Sequence, residues 1–324
     1  MKTKKLLPML ATLIIGATAA LSGCTAGDTT IEFKNNWLKN HLTPQDALTE
    51  TLKYDVKFEK NESVHASLAY QYEYKNGEYV TTLTQYSDDR FEYTTKLTID
   101  VTYSNVNGES ATVQDVVESS VLFQTASKGL TPIQSSKTIL SHFPMNITTQ
   151  GKPLVECYQK SHYAVSTVYS DGKGVCTLQN LTPNADGALS EPQITNVSMG
   201  EKLSYLDNEQ LLLALRAFDT STTSGNVNTY SPFTKATQKI GISFTNEEEA
   251  SAQLSISENG AEATQKKFKY RKATLSIKAT NSGQSQTAWV ATENRNVILR
   301  LETPYSFNHG KLVYTLKSID RIEQ

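Results

Sequence analysis

Histidine, cysteine and tryptophan are scarce in this 324-residue chain, with five, three and two copies. His41, His65, His142, His162 and His309 are scattered, with no pair four residues apart and no His-Glu-x-x-His, so no metal site is expected. Gly-x-Ser-x-Gly, Gly-x-x-x-x-Gly-Lys-Ser/Thr and calcium-loop patterns are missing as well, which leaves serine hydrolysis and nucleotide chemistry without local support. No Cys-x-x-Cys occurs, so a thioredoxin-like role has no motif. The formal net charge of −2 argues against nucleic acid as a partner. With no catalytic residue, cofactor or metal ligand to name, the expectation is a non-enzyme.

What is present begins at the N-terminus. Lys2, Lys4 and Lys5 precede an apolar run from Leu6 to Ala20, broken by Pro8, Thr12, Gly16 and Thr18. That is the layout of an export signal, and the run is too short and interrupted to span a bilayer, which takes about 20 apolar residues. Leu21-Ser22-Gly23-Cys24 then resembles the lipobox of bacterial lipoproteins. The resemblance implies cleavage after residue 23, a diacylglycerol thioether on Cys24 and a further acyl chain, palmitate among the typical ones, on the new amine. Several chains together hold a protein on a membrane where one would not. Thr25 stands where an aspartate would favour inner-membrane retention. The implied address is the cell envelope, facing the periplasm or cell surface, with the outer membrane favoured in a Gram-negative host.

Sixteen tyrosines against ten phenylalanines and four methionines suit a β-rich exported protein. With Cys24 taken by lipid, Cys157 and Cys176 remain as an even pair in an oxidising compartment. A disulfide between them is predicted, closing a loop of about 20 residues and worth about 3 kcal/mol on the chain-entropy model. Two buried free thiols are the alternative.

Thr43-Pro44-Gln45-Asp46 reads as a helix start, with Ala47, Leu48 and Leu52 as the apolar side of a short N-terminal helix. After Asn61 the period becomes two. Val64, Ala66, Leu68, Tyr70, Tyr72 and Tyr74 alternate with mainly polar neighbours, Asn76-Gly77 predicts a hairpin turn, and Tyr79, Thr81 and Leu83 form the return strand. Phe91 to Tyr103 alternates again, turns at Asn107-Gly108 and returns through Phe123. Residues 142–190, richer in Pro, Gly and Asn, read as an elaboration of the same sheet, with a turn at Asp171-Gly172. Asp207 can cap a helix, with Gln210 closing a capping box and Leu206 stapling onto Leu211. The following Leu211-to-Phe218 run leaves little polar face, so the helix should lie against the open side of the sheet. Thr220 to Asn228 reads as a polar loop, and strand patterns resume from Lys239 to Leu316.

Gly129-Leu130-Thr131-Pro132, the Asp207 helix with Leu215-Arg216, the run Gly283-Gln284-Ser285-Gln286-Thr287-Ala288-Trp289-Val290-Ala291 and the terminal Gly310-Lys311-Leu312 resemble the motifs of an uncharacterised bacterial envelope family. The resemblance implies a half-barrel with a covering helix, a fold similar to that of periplasmic lipoprotein carriers. It brings no chemistry with it, because fold analogy does not assign function.

The expected fold is therefore mainly β, a curved antiparallel sheet or half-barrel with one covering helix and a short N-terminal helix. The expected organisation is a signal at residues 1–23, an anchor and tether at 24–42, and a β-rich body at 43–324. The first functional expectation is an apolar ligand or partner segment held between sheet and helix, with Leu211, Leu215, Phe218 and Trp289 facing it. The second is a structural or assembly factor docking another envelope protein. A hydrolase without a local motif is the third. A roomy apolar pocket under the helix would favour the first, and a filled core with exposed apolar side chains the second.

Overall fold

A computed structural model describes residues 48–87, 89–125, 129–200, 205–218, 221–249, 253–277, 285–305 and 308–323. The signal, Cys24, the tether, Thr43 to Asp46, and the run from Asn281 to Gln284 lie outside the described residues. The first half of the body holds β1 (Leu48–Lys60), α1 (Glu62–Ser67), β2 (Tyr70–Ser87), β3 (Arg90–Asn105), β4 (Ser110–Gln124), β5 (Thr131–Pro144), β6 (Tyr158–Ser170), β7 (Lys173–Asn180) and β8 (Gln193–Ser198). After α2 (Leu211–Leu215) come β9 (Ser224–Ser231), β10 (Ala236–Phe244), β11 (Glu248–Glu249), β12 (Leu254–Glu258), β13 (Thr264–Lys266), β14 (Lys269–Ile277), β15 (Gln286–Ala291), β16 (Ile298–Pro304) and β17 (Gly310–Glu323).

The strands form one curved, barrel-like antiparallel sheet. Pairing runs from β8 back through successive strands to β1. It crosses from β1 to β17 and continues through β16, β15, β14 and β10 to β9. The short β12 adds a parallel pairing to β17 at Ser318 and Ile319, beyond the stretch that pairs with β16. The terminal strands β8 and β9 share no ladder, and side chains fill the seam between them. Cys176 and Val197 from one side pack with Tyr205 and Tyr230 from the other. Residues 158–180 extend the main sheet through β6 and β7.

Alternation explains the inner face. In β3 every second residue from Phe91 to Tyr103 is buried, because side chains of a strand point alternately to its two faces. The N-terminal helix expectation fails where it can be examined, since Leu48 to Leu52 open β1. Leu52, Tyr54 and Val56 are buried at period two, and β2 and β17 supply hydrogen-bonding partners on both edges. A short helix would forgo both ladders, and local propensity is too weak to compete with them.

The Asn76-Gly77 turn is also corrected: Tyr70–Ser87 is one 18-residue strand. A bulge falls between Lys75 and Glu78, with Asn76 at φ 52°. One extra residue shifts the alternation so that both Tyr72 and Tyr79 face inward. Glycine is required beside it, because a methyl on Gly77 would fall on the Val56 carbonyl oxygen and within 2.9 Å of Ile99 Cδ1. Two further segments differ from expectation. Glu62–Ser67 forms α1, with the Asn61 side chain accepting the Ser63 N–H at its start. The stretch read as a polar loop contains β9, where Gly225, Asn226 and Val227 are buried beside β10.

Candidate functional site

The segment from Tyr205 to Phe218 crosses the concave side of the sheet and plugs it. Asp207 starts it with the expected capping box. Its carboxylate accepts the Glu209 N–H at 2.9 Å, while Gln210 Oε1 accepts the Asp207 N–H at 2.9 Å. Regular α-helix is confined to Leu211–Leu215 and ends at Arg216, shorter than the expected span to Phe218. Leu206 and Leu211 are both fully buried in the same core cluster, consistent with the staple.

With five apolar residues in succession, α2 has no side to offer water. Leu211, Leu213 and Ala214 are 0 % exposed and pack with inward residues of both halves of the sheet. The helix is packed into the core cluster. Leu211, Leu215 and Phe218 are therefore core residues here. Trp289 packs against that cluster from its periphery. It is half-buried, alternates with the buried Ala288 and Val290, and lies under the Arg300 guanidinium at 5.4 Å. That cation–π contact belongs to a cross-strand network in which Arg300 and Lys311 bind Glu302.

Polar ties hold both ends of the plug. Ser135 Oγ and Tyr169 OH each donate to Asp207 Oδ2 at 2.6 Å, and Gln210 Nε2 donates to the Leu130 carbonyl at 3.2 Å. Lys137 Nζ donates to both Glu209 oxygens at 3.0 and 3.1 Å. Burial and the nearby Glu209 push the Asp207 carboxyl above its ordinary value, against the opposing hydrogen bonds. At the other end Arg216 Nη2 donates to Glu50 Oε1 at 2.6 Å and to the Arg295 carbonyl at 3.2 Å. Arg321 Nε donates to Glu50 Oε2 at 2.9 Å. Burial alone would raise the Glu50 carboxyl, but the two guanidinium groups outweigh it and hold the group below its usual range.

A second feature lies inside the sheet between β2–β5 and β16–β17. It is a cavity of about 30 Å³, lined on its polar side by Tyr74, Asp115, Ser141, Thr303, Tyr305 and Tyr314. Tyr74 OH donates to Tyr305 OH at 2.8 Å. Asp115 Oδ1 accepts the His142 N–H at 2.8 Å and meets His142 Nδ1 at 2.9 Å. Burial raises the Asp115 carboxyl, with His142 only partly offsetting it. Ser141, His142 and Asp115 do not make a nucleophile relay, because among the described residues Ser141 Oγ has no hydrogen-bond partner and the His142 ring meets the Asp115 carboxylate, not Ser141.

Beyond the cavity, His309 is fully buried. Its Nδ1 faces Tyr72 OH at 2.6 Å and its Nε2 faces Asn146 Oδ1 at 2.8 Å. Since the amide oxygen only accepts, Nε2 carries the proton and Nδ1 accepts from the phenol. Burial, then the neighbouring His65, lower His309 to about 4. Tyr70 and Tyr72 lie in the same aromatic packing, so the tyrosine-rich strand serves the sheet.

The remaining candidates are structural. Glu247 and Glu248 pair with Lys269 and Lys272 of β14. Among the described residues no group of His, Cys, Asp and Glu could hold a metal ion.

The predicted disulfide is overturned, because Cys157 and Cys176 are both free and buried. Cys176 stands opposite Thr167 on β6, ten residues along from Cys157. At about 3.3 Å per residue that is roughly 33 Å, far beyond the ~7 Å a bridge spans. Burial raises both thiols above their ordinary values, so neither is an activated nucleophile.

The sequence reading found Asp207, Gln210 and the apolar helix through local capping and hydrophobicity. It missed Glu50, Lys137 and Asp115, whose only signal was a charged residue at an inward position of an alternating strand.

No family model matches the chain, and no curated protein matches it. Its structure is similar to the crystal structure of a beta-barrel-like protein of domain of unknown function DUF1849 from Brucella abortus. That similarity covers 85% of this chain and 98% of that chain at 12% identity and a TM-score of 0.45.

Proposed function

We propose that this chain is a lipid-anchored bacterial envelope protein that acts without catalysis, docking another envelope protein on the outer face of β6–β8. One observation carries the reading. Val168, Val175 and Ile194 are 60%, 47% and 70% exposed on that face. Val168 pairs directly with Val175, and Ile194 lies diagonally beyond it, opposite Thr177. Large apolar side chains grouped on an outer surface are what an interface core consists of. The burial of α2 in the core cluster weighs in the same direction, since a ligand between sheet and helix would first have to displace the plug.

Cys24 supplies the membrane attachment in this proposal, and the body from residue 43 onward works close to the lipid surface. The test is site-specific photo-crosslinking in the native envelope, with the reactive group at Ile194 and a control at exposed Thr112. A discrete adduct at Ile194 that disappears in Val168→Asp and Val175→Asp variants is expected. Cys24→Ala should abolish acyl labelling and release the protein to the soluble fraction. No adduct at Ile194, together with lipid co-purifying with the protein, would sink the docking reading and favour a carrier whose plug moves aside.

A further inference from the structure

We infer that the open edge of β8 accepts an extended, uncharged segment of a partner protein as one further strand, which rests on the docking reading of β6–β8 and specifies how the partner is held. The two ends of the sheet are finished differently. Along β9 the Leu206 N–H donates to the Asn228 carbonyl at 2.9 Å and Asn208 Nδ2 donates to the Tyr230 carbonyl at 3.0 Å, so that edge is covered. Among the described residues β8 pairs with β7 alone. The turn before β7 fixes which backbone groups point outward. Asp171 and Gly172, at φ 52° and 78°, form a two-residue hairpin turn closed by Ser170 and Lys173. From that closing pair, Lys173, Val175 and Thr177 direct their N–H and C=O to β6, and Gly174, Cys176 and Leu178 direct theirs to β8. The Met199 N–H donating to the Gly172 carbonyl at 3.1 Å has the same phase. Thr195 and Val197 therefore bond to β7, while Ile194, Asn196 and Ser198 turn their N–H and C=O to the open edge.

Such an edge selects its ligand. Donors and acceptors recur along it every second residue, about 7 Å apart, which an extended peptide matches bond for bond. Edges are ordinarily guarded by proline, charge or a bulge. Gln193–Ser198 holds neither proline nor charge, pairs with β7 without a register shift, and exposes Gln193, Ile194, Asn196 and Ser198. An uncharged strand therefore meets no counter-charge to satisfy and leaves none buried. The exposed Val168, Val175 and Ile194 lie on the outer face beside this edge, so an apolar side chain of the incoming strand next to Ile194 extends the same apolar surface. A second copy of this chain fits less well. An antiparallel β8 pair that sets Ile194 against Ile194 also sets Pro192, which has no N–H, against Asn196.

Two measurements on the full chain test the inference. Amide exchange of the isolated protein should show Thr195 and Val197 protected and Asn196 and Ser198 exchanging freely, and protection of Asn196 or Ser198 would overturn the open edge. Asn196→Pro removes an outward N–H and leaves the β7 ladder intact, whereas Asn196→Ala removes only the side chain. With the photo-reactive group at Ile194 in the native envelope, Asn196→Ala should keep the adduct and Asn196→Pro should lose it, with Tm unchanged in both. An adduct that persists in Asn196→Pro but disappears in Val175→Asp refutes strand addition and leaves docking on the face standing. Loss in both Asn196 variants would assign the contact to the side chain and overturn the inference. An adduct of twice the chain's mass would make the occupant a second copy and overturn the choice of partner. No adduct in the wild type removes the docking reading and strand addition with it.

Discussion

Acidification should destabilise this protein through His309, at a pH where most carboxylates are still ionised. The ring is 0 % exposed, with Tyr72 OH at 2.6 Å on Nδ1 and Asn146 Oδ1 at 2.8 Å on Nε2. Protonation turns Nδ1 into a donor facing the hydrogen of a phenol, in a buried site beside His65. The folded value is about 4 against 6.5 for an ordinary histidine. Between those values the unfolded chain binds more protons, so stability rises with pH across the window and is lost as pH falls through it. At 1.36 kcal/mol per tenfold change in proton affinity, the full difference is about 3 kcal/mol, of which about 2 kcal/mol is gone by pH 5. Glu50, held below its usual value, loses its contribution only below about 4.5, and the raised Asp115 and Asp207 act with the opposite sign. The histidine effect is therefore isolated by comparison with His309→Gln, which keeps an acceptor and a donor but does not titrate. Urea midpoints for both proteins from about pH 7 to 5 provide the assay, at unchanged m-value. The wild type should lose stability relative to the variant by about 2 kcal/mol over that range. Parallel curves for the two proteins would refute the reasoning.

Arg216→Met should cost about 3–5 kcal/mol, because it leaves the buried Glu50 with half its counter-charge. Adding Glu50→Gln should restore part of that loss in a double-mutant cycle by urea denaturation, and an additive result would show that the pair is not coupled. Gly77→Ala should lower stability by about 1–3 kcal/mol through overpacking against Val56 and Ile99. An unchanged Tm would remove the steric argument for the bulge. Reducing agent should leave Tm unchanged, and alkylation should label Cys157 and Cys176 only after unfolding. A reductant-sensitive Tm would reinstate a bridge.

Much of the β architecture was legible locally. Period-two alternation marked β3, β4 and the last strands, Asn107-Gly108 marked the turn from β3 to β4, and Asp171-Gly172 the turn from β6 to β7. Such signals span a few residues and depend on backbone geometry alone. Asn76-Gly77 shows their limit. The same dipeptide that closes a hairpin can sit in a bulge, and the choice fell to β1 and β3, which hold the strand straight on both edges. Leu48 to Leu52 join β1 instead of the expected helix for the same reason, since the ladders of β2 and β17 outweigh local helix propensity.

By itself, the sequence determined the β class, the capped apolar helix at Asp207 and the expectation of a lipid anchor at Cys24. Each is written in neighbouring residues. Tertiary structure alone decided that the helix is packed into the core cluster, that Cys157 and Cys176 stay apart, and that Glu50 meets Arg216 and Arg321 across 166 and 271 residues. Those outcomes depend on how a long antiparallel ladder curves back on itself. Closure brings β1 beside β17 and aims inward side chains from distant strands at one volume, which residue spacing along the chain does not encode.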